Sequence, residues 1–158
     1  MALDRHWIES HIPHQRRMCL LDEVVTWNAN RVQCRSTTHR DPANPLRSHN
    51  RLGAVCGIEY AAQAMAVHGA LIASRVTTPQ KSAAVAGFLA SVRNVTLFAN
   101  RLDDVADDLI ATAEFVTGDE HTVLYAFTIT AGERVLVAGR ATIVFNTIVR
   151  EVSLSSRT

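Results

Sequence analysis

The sequence predicts an α+β fold in which an antiparallel sheet curls around one long central helix. Two observations carry this reading. An apolar segment of helix length runs from about Ala54 to Ser74, and the last third of the chain reads as a meander of strands separated by short polar turns. At 158 residues and 47% hydrophobic residues the chain can bury one sizeable core, so a single domain over residues 1–158 is expected.

The elements follow in order. Asp4 to Ser10 suits a short helix closed by Pro13, and Met18 to Trp27 reads as a strand. Asn28-Ala29-Asn30 is a turn, and Arg31 to Thr38 alternates as a half-buried strand should. Asp41-Pro42-Ala43-Asn44-Pro45 breaks the pattern into a loop that runs to about Gly53.

In the central helix Ile58, Ala62, Met65, Gly69 and Ile72 form one apolar stripe, while Ala61, Ala64, Ala66 and Ala70 keep the other faces small. Small faces let strands or a second subunit approach the helix backbone closely. After a polar break at Thr77 to Lys81, strands are expected over Ala84–Phe98, Asp107–Val116, Thr122–Thr130 and Arg134–Phe145. Residues 151–158 read as a loose tail.

Composition excludes several function classes. Sixteen Lys and Arg against fifteen Asp and Glu leave a formal charge of +1, so no global field calls for nucleic acid or an anionic membrane. Cys19, Cys34 and Cys56 lack the paired spacing of a zinc site, and their odd number fits a reducing cytoplasm. The opening MALDRHWIESHIPH carries charges and histidines where a signal peptide needs an apolar run. No uninterrupted apolar stretch reaches about 18 residues, so a soluble cytoplasmic protein is expected. No metal cluster, phosphate loop or nucleotide fingerprint is present, and no cofactor is expected.

The central helix carries the chemical question. Glu59 and Gln63 lie four apart on one face and can touch or jointly line a cavity. A glutamate on a mostly apolar helix is either paired structurally or held partly dry beside a pocket, where raised proton affinity suits acid or base work.

The segment GIEYAAQAMAVHGAL, residues 57–71, resembles the central helix of the hotdog-fold beta-hydroxyacyl-[acyl carrier protein] dehydratases. Residues 12–24, IPHQRRMCLLDEV, resemble the opening Pro-His segment and first strand of that family, and Gly87 to Asn94 is similar to the strand after its helix. Within the family the likeness is nearest to the aryl-polyene-cluster dehydratase subgroup, which shares an opening Pro-His, a Gly-Ile/Leu-Glu helix start and Ala-Gln. The resemblance spans most of residues 12–145. It implies a hotdog fold, dehydration of a 3-hydroxyacyl thioester carried on acyl carrier protein to the trans-2-enoyl thioester, no cofactor, and at least a homodimer that pairs through its sheets and shares active sites across the interface.

That reaction needs a base for the C2 proton, an acid for the departing 3-hydroxyl, and donors for the thioester oxygen. Glu59 matches the motif and is the expected acid. Histidine, with an ordinary pKa of about 6.5, suits the base. The His-Phe-Pro-Gly loop of better-known dehydratases is absent, which leaves two candidates. His14 in the Pro-His motif is preferred, with a buried histidine pinning the first strand to the helix as its plain alternative. His49 lies in the loop ten residues before Glu59. His39 reads as a loop residue, and His68 falls on the side of the helix opposite Glu59.

Backbone N–H groups of Ala54 and Gly57 are the expected thioester-oxygen donors, because a helix start leaves donors unpaired. Gln63, Phe88 and Leu89 are the other expected substrate contacts, although a plain core role also suits Phe88 and Leu89. Arg16, Arg17, Arg47, Arg51 and Arg93 offer a basic landing site for an acidic carrier protein. Two alternatives stay open: a hotdog thioesterase using the same carboxylate to activate water, and a non-catalytic partner subunit. An imidazole within one water of Glu59 separates the dehydratase from the latter.

Overall fold

The structure, a computed structural model, describes residues 3–75 and 87–145. Helix α1 (Arg5–His11) starts where the Asp4 carboxylate accepts the Trp7 N–H at 3.0 Å. Strands β1 (Glu23–Asn28) and β2 (Arg31–Ser36) form a hairpin whose turn is closed by Asn28 Oδ1 accepting the Asn30 N–H. A 3₁₀ turn at Ala54–Cys56 runs directly into helix α2 (Gly57–Ser74), so the helical segment spans the expected 54–74. Strands β3 (Gly87–Leu97), β4 (Leu109–Gly118), β5 (Thr122–Ala131) and β6 (Arg134–Phe145) complete the fold.

The six strands form one antiparallel sheet in the order β1-β2-β4-β5-β6-β3, and α2 packs on β2, β4 and β5. This is the sheet-around-helix arrangement expected. The strand after the helix crosses to the far edge, where among the described residues β3 pairs only with β6. At the opposite edge, β1 is partly covered: Val24 N–H donates to Leu3 and Asp4 bridges Glu23.

The first strand starts later than its apolar run suggests. Arg16–Met18 is a 3₁₀ turn, and Cys19, Leu20 and Leu21 form an extended segment at 0 to 1% exposure before β1 begins. Their apolarity comes from burial in the core, where Leu20 and Leu21 each contribute about 2 kcal/mol. Strand-like composition therefore marks the core here and not the ladder.

The expected face of the helix also differs. Gly57, Tyr60, Ala61, Gln63, Ala64, Met65, Val67, His68 and Leu71 are its buried positions, whereas Ile58, Ala62, Gly69 and Ile72 are only half-buried. The small side chains face the sheet because close approach demands them. At Gly57 an added Cβ would lie 2.9 Å from Val137 Cγ2 and 3.2 Å from Ile129 Cγ1.

His39 is a correction too. It sits in a 3₁₀ turn, Thr38–Arg40, wholly buried, with Nε2 donating to the Val105 carbonyl at 3.0 Å. The expected polar break at 77–81, the first residues of the strand predicted from Ala84 and the tail at 151–158 lie outside the described residues. Cys19, Cys34 and Cys56 are free thiols, and burial pushes Cys34 up to about 12. One segment, Ala54–Ser74, is long and apolar enough to cross a membrane; half of it is buried inside this fold.

Candidate active site

Glu59 stands in the first turn of α2, and His14 lies on the chain between α1 and the Arg16–Met18 turn. His14 Nε2 is 3.2 Å from Glu59 Oε1, with both side chains partly open to solvent. Because a carboxylate only accepts, Nε2 is assigned the proton in this bond. Nδ1 is buried without a hydrogen-bond partner among the described residues.

The His14 hydrogen bond, above all, holds the Glu59 carboxyl below its ordinary value, against the opposing effect of burial; Gln63 adds to the lowering. The sequence left a paired carboxylate and a raised proton affinity both open. The structure gives the paired, lowered direction, because the imidazole and amide outweigh desolvation. Glu59 is thus a carboxylate at neutral pH.

Gln63 is turned into the chain. It is fully buried, and each of its polar atoms is used inside the chain. Its Oε1 accepts the Leu20 N–H at 2.8 Å, while Nε2 donates to the Met18 carbonyl at 2.7 Å and to Glu59 Oε1 at 3.3 Å. Leu20 is gripped from its other side as well, its carbonyl accepting from Ser36 Oγ and from Thr38 Oγ1 at 2.8 Å. Helix α2 therefore holds by side chains the segment that follows His14.

That segment contains a left-handed residue, Arg16, with φ of 55°. For a residue with a Cβ this conformation costs about 1–2 kcal/mol, and the surrounding hydrogen bonds must hold it in place.

His49 is not brought to Glu59. It sits exposed in the loop with φ of 54°, and Ser48 Oγ lies 2.9 Å from its Nδ1. His68 points the other way, as its position on the helix requires: it lies between Tyr125 Oη at 2.8 Å and the Asn28 carbonyl at 2.9 Å.

Neither expected backbone donor is available. The Ala54 N–H donates to the Asn100 carbonyl at 3.1 Å, and the Gly57 N–H donates into the 3₁₀ turn before it. Val55 is the member of that turn whose N–H has no partner among the described residues, and it precedes Glu59 by one helical turn. Which N–H of the turn is spent depends on the distant Asn100 loop.

Phe88 and Leu89 lie on β3 at 58% and 41% exposure, so they line no enclosed tunnel within one chain. Two small cavities, of about 50 and 140 Å³, lie beside Arg5 and Arg17 and on the sheet at Thr112 and Glu114; neither is lined by Glu59 or His14. Of the five arginines, Arg16, Arg17 and Arg93 are exposed and make no side-chain pair among the described residues, whereas Arg47 pairs with Asp103 at 3.7 Å and Arg51 donates to the Asn100 carbonyl. Among the described residues no cluster of three His, Cys, Asp or Glu is placed to hold a metal.

Comparison with known proteins adds four findings. A family model described as ApeP-like, ApeP dehydratase, matches residues 6–152. The dehydratase heterocomplex ApeI:P from Xenorhabdus doucetiae is similar at 24% identity with a TM-score of 0.78, over 93% of this chain and 95% of that one. A mutant thioesterase from Pseudomonas aeruginosa is similar at 9% identity with a TM-score of 0.61, over 90% and 93% of the chains, and shares the fold alone. A search among curated proteins gave no match.

Proposed function

Because the chain belongs to the ApeP-like dehydratase family, a 3-hydroxyacyl thioester dehydratase of the aryl-polyene type, we propose that its chemistry is carried by His14 and Glu59. The observation that supports this most is their 3.2 Å contact within one subunit. It also weighs against a merely structural partner subunit, for which no such pairing is needed.

Dehydration consumes no net proton, since the hydrogen lost from C2 leaves with the 3-hydroxyl as water. One pair holding one mobile proton is enough. In this reading the Glu59 carboxylate oxygen not engaged by His14 and Gln63 accepts the C2 proton, while the His14 Nε2–H fixes the carboxylate in place. The neutral carboxylic acid then protonates the departing hydroxyl. Electrons of the C2–H bond form the C2=C3 bond as the C3–O bond breaks. Glu59 becomes an acid only during turnover, which reconciles its lowered proton affinity at rest with the expected role. The Val55 N–H is the proposed donor to the thioester oxygen.

The acyl tunnel is proposed to form between two subunits. Strand β3 is an open edge carrying Phe88, Leu89, Val95 and Leu97, all more than a third exposed, and Phe98 follows at 55%. An unpaired apolar edge of this length is a ready template for another sheet. A second hotdog subunit, either a copy of this chain or a related one, fits it, and the similar ApeI:P protein is described as a heterocomplex. Phe88 and Leu89 would then line the tunnel across that interface.

Acyl carrier protein remains the proposed donor of substrate, approaching the exposed Arg16 and Arg17 beside His14. The free thiols support a reducing, cytoplasmic setting.

The deciding experiment follows enoyl-thioester absorbance and free-thiol release with 3-hydroxyacyl thioesters of pantetheine and of acyl carrier protein. Loss of enoyl product in Glu59→Gln and His14→Ala, with His49→Ala active, supports the assignment. Activity retained in Glu59→Gln overturns it. Arg17→Glu is expected to raise KM for the carrier-bound substrate alone.

A further inference from the structure

Helix α1 is tied to the His14 segment by the Gln15 amide, which donates to the Glu9 carbonyl at 2.6 Å, and by the Arg5 guanidinium. Arg5 donates from Nη2 to the carbonyls of Arg16, at 2.9 Å, and Cys19, and from Nη1 to Asp22 Oδ1 at 3.3 Å. Its Nε donates to Glu9, which fixes the guanidinium to its own helix. Asp22 in turn accepts from the N–H and hydroxyl of Thr37. One planar group therefore spans the whole turn between His14 and the start of β1.

That turn is the part of the site in need of a brace. It begins with left-handed Arg16, and the Cys19 N–H closes it onto the Arg16 carbonyl, the same oxygen that Arg5 engages. Gln63 grips the segment only from Met18 onward. Between the Gln63 anchor and His14 the guanidinium holds both ends of the turn. Its fork geometry matters, because an ammonium group cannot span both carbonyls and the carboxylate in the same way.

We propose that Arg5 is a positioning residue for the dehydration reaction, holding the Arg16–Cys19 turn so that the His14 ring stays on Glu59. The inference rests on the assignment of His14 and Glu59 to catalysis, but the position of the ring is measurable without turnover. Loss of the brace lets the turn relax toward the right-handed region, and His14, two residues upstream, leaves hydrogen-bond range. With pantetheine thioesters, which do not engage the carrier-binding Arg16 and Arg17 of this turn, the damage falls on the chemical step.

The test uses the full chain, with its partner subunit where one copurifies, as wild type, Arg5→Ala and Arg5→Lys; Glu114→Gln, which removes only an exposed pair with Arg31, is the control. Imidazole nitrogen NMR, with the His14 signals identified by their loss in His14→Gln, reports whether one tautomer is locked. Expected are a locked Nε2–H tautomer in wild type and control, an averaged pattern in Arg5→Ala, and an intermediate one in Arg5→Lys. Across the same series kcat is expected to fall by about 10- to 100-fold in Arg5→Ala with KM little changed, and to recover partly in Arg5→Lys. A folded Arg5→Ala protein with the wild-type His14 signal overturns the inference. If Arg5→Ala does not fold, Arg5→Lys decides, since a wild-type signal and rate there overturn it equally. A shifted His14 signal with unchanged turnover instead overturns the catalytic assignment and leaves the bracing role standing.

Discussion

The ring of His14 and the carboxylate of Glu59 meet at 3.2 Å although one comes from a loop ahead of the sheet and the other from the first turn of the central helix. The contact lowers the proton affinity of Glu59. A carboxylate in that state stabilises the fold above the ordinary carboxyl pKa of about 4.3, and the contribution is lost as pH falls through the lower folded value. Wild type is therefore expected to lose stability relative to Glu59→Gln as pH is lowered from 6 to 3. Thermal melts of both across that range check this, and parallel curves would refute the coupling.

Gln63→Leu is expected to destabilise the protein by about 1–3 kcal/mol, because the buried Leu20 N–H and Met18 carbonyl lose their partner. It should also lower kcat by loosening the segment that follows His14. Gln63→Glu should be worse for turnover, since it sets a second carboxylate against Glu59. Urea denaturation and the enoyl assay read the two effects separately.

A histidine switch in stability is expected from the opposite face of the helix. Burial, chiefly, lowers the pKa of His68, as the neighbouring Arg75 charge does more weakly, while the Asn28 carbonyl opposes them. The unfolded chain protonates this residue near about 6.5. Stability from the neutral ring is thus complete above that pH and declines as pH falls toward the lowered folded value. His68→Gln can still bond Tyr125 and Asn28 without titrating. Its unfolding free energy should change less between pH 7 and 5 than that of wild type; part of the slope remains because buried His39 is lowered in the same direction.

Gly57→Ala tests how closely the helix lies on the sheet. The added methyl meets Val137 at 2.9 Å and Ile129 at 3.2 Å, so a loss of about 1–3 kcal/mol is expected despite alanine's better helix propensity. Unchanged or raised stability would mean that the helix start shifts freely.

Phe88→Glu with Leu97→Glu should abolish association through β3 while leaving the far-ultraviolet circular dichroism of the chain intact. Sedimentation velocity of the chain alone and with a coexpressed related subunit distinguishes self-pairing from heteropairing. A wild-type chain that stays monomeric in both settings refutes the interface.

Much of the fold was legible because its signals are local. The hairpin turn at Asn28–Asn30, the segment 54–74 and the strand Arg134–Phe145 each announce themselves by periodicity and turn chemistry. Residues 19–21 misled because full burial and strand composition look alike in one dimension. The pair of Glu59 and Gln63 on one face was readable from their spacing, whereas their division of labour was not. Gln63 serves the chain and Glu59 faces outward because of Met18 and Leu20, whose approach no helical pattern encodes. The spent Ala54 N–H depends likewise on Asn100, far along the chain.

The extended segment around Leu20 is held mainly by side chains: an amide, two hydroxyls and the Arg5 guanidinium. Sheet register cannot drift by fractions of a residue, but a tether made of separate side chains changes one substitution at a time. The spacing between imidazole and carboxylate is therefore an adjustable trait in this fold, which descendants can retune for a new acyl group while the sheet and its central helix stay untouched.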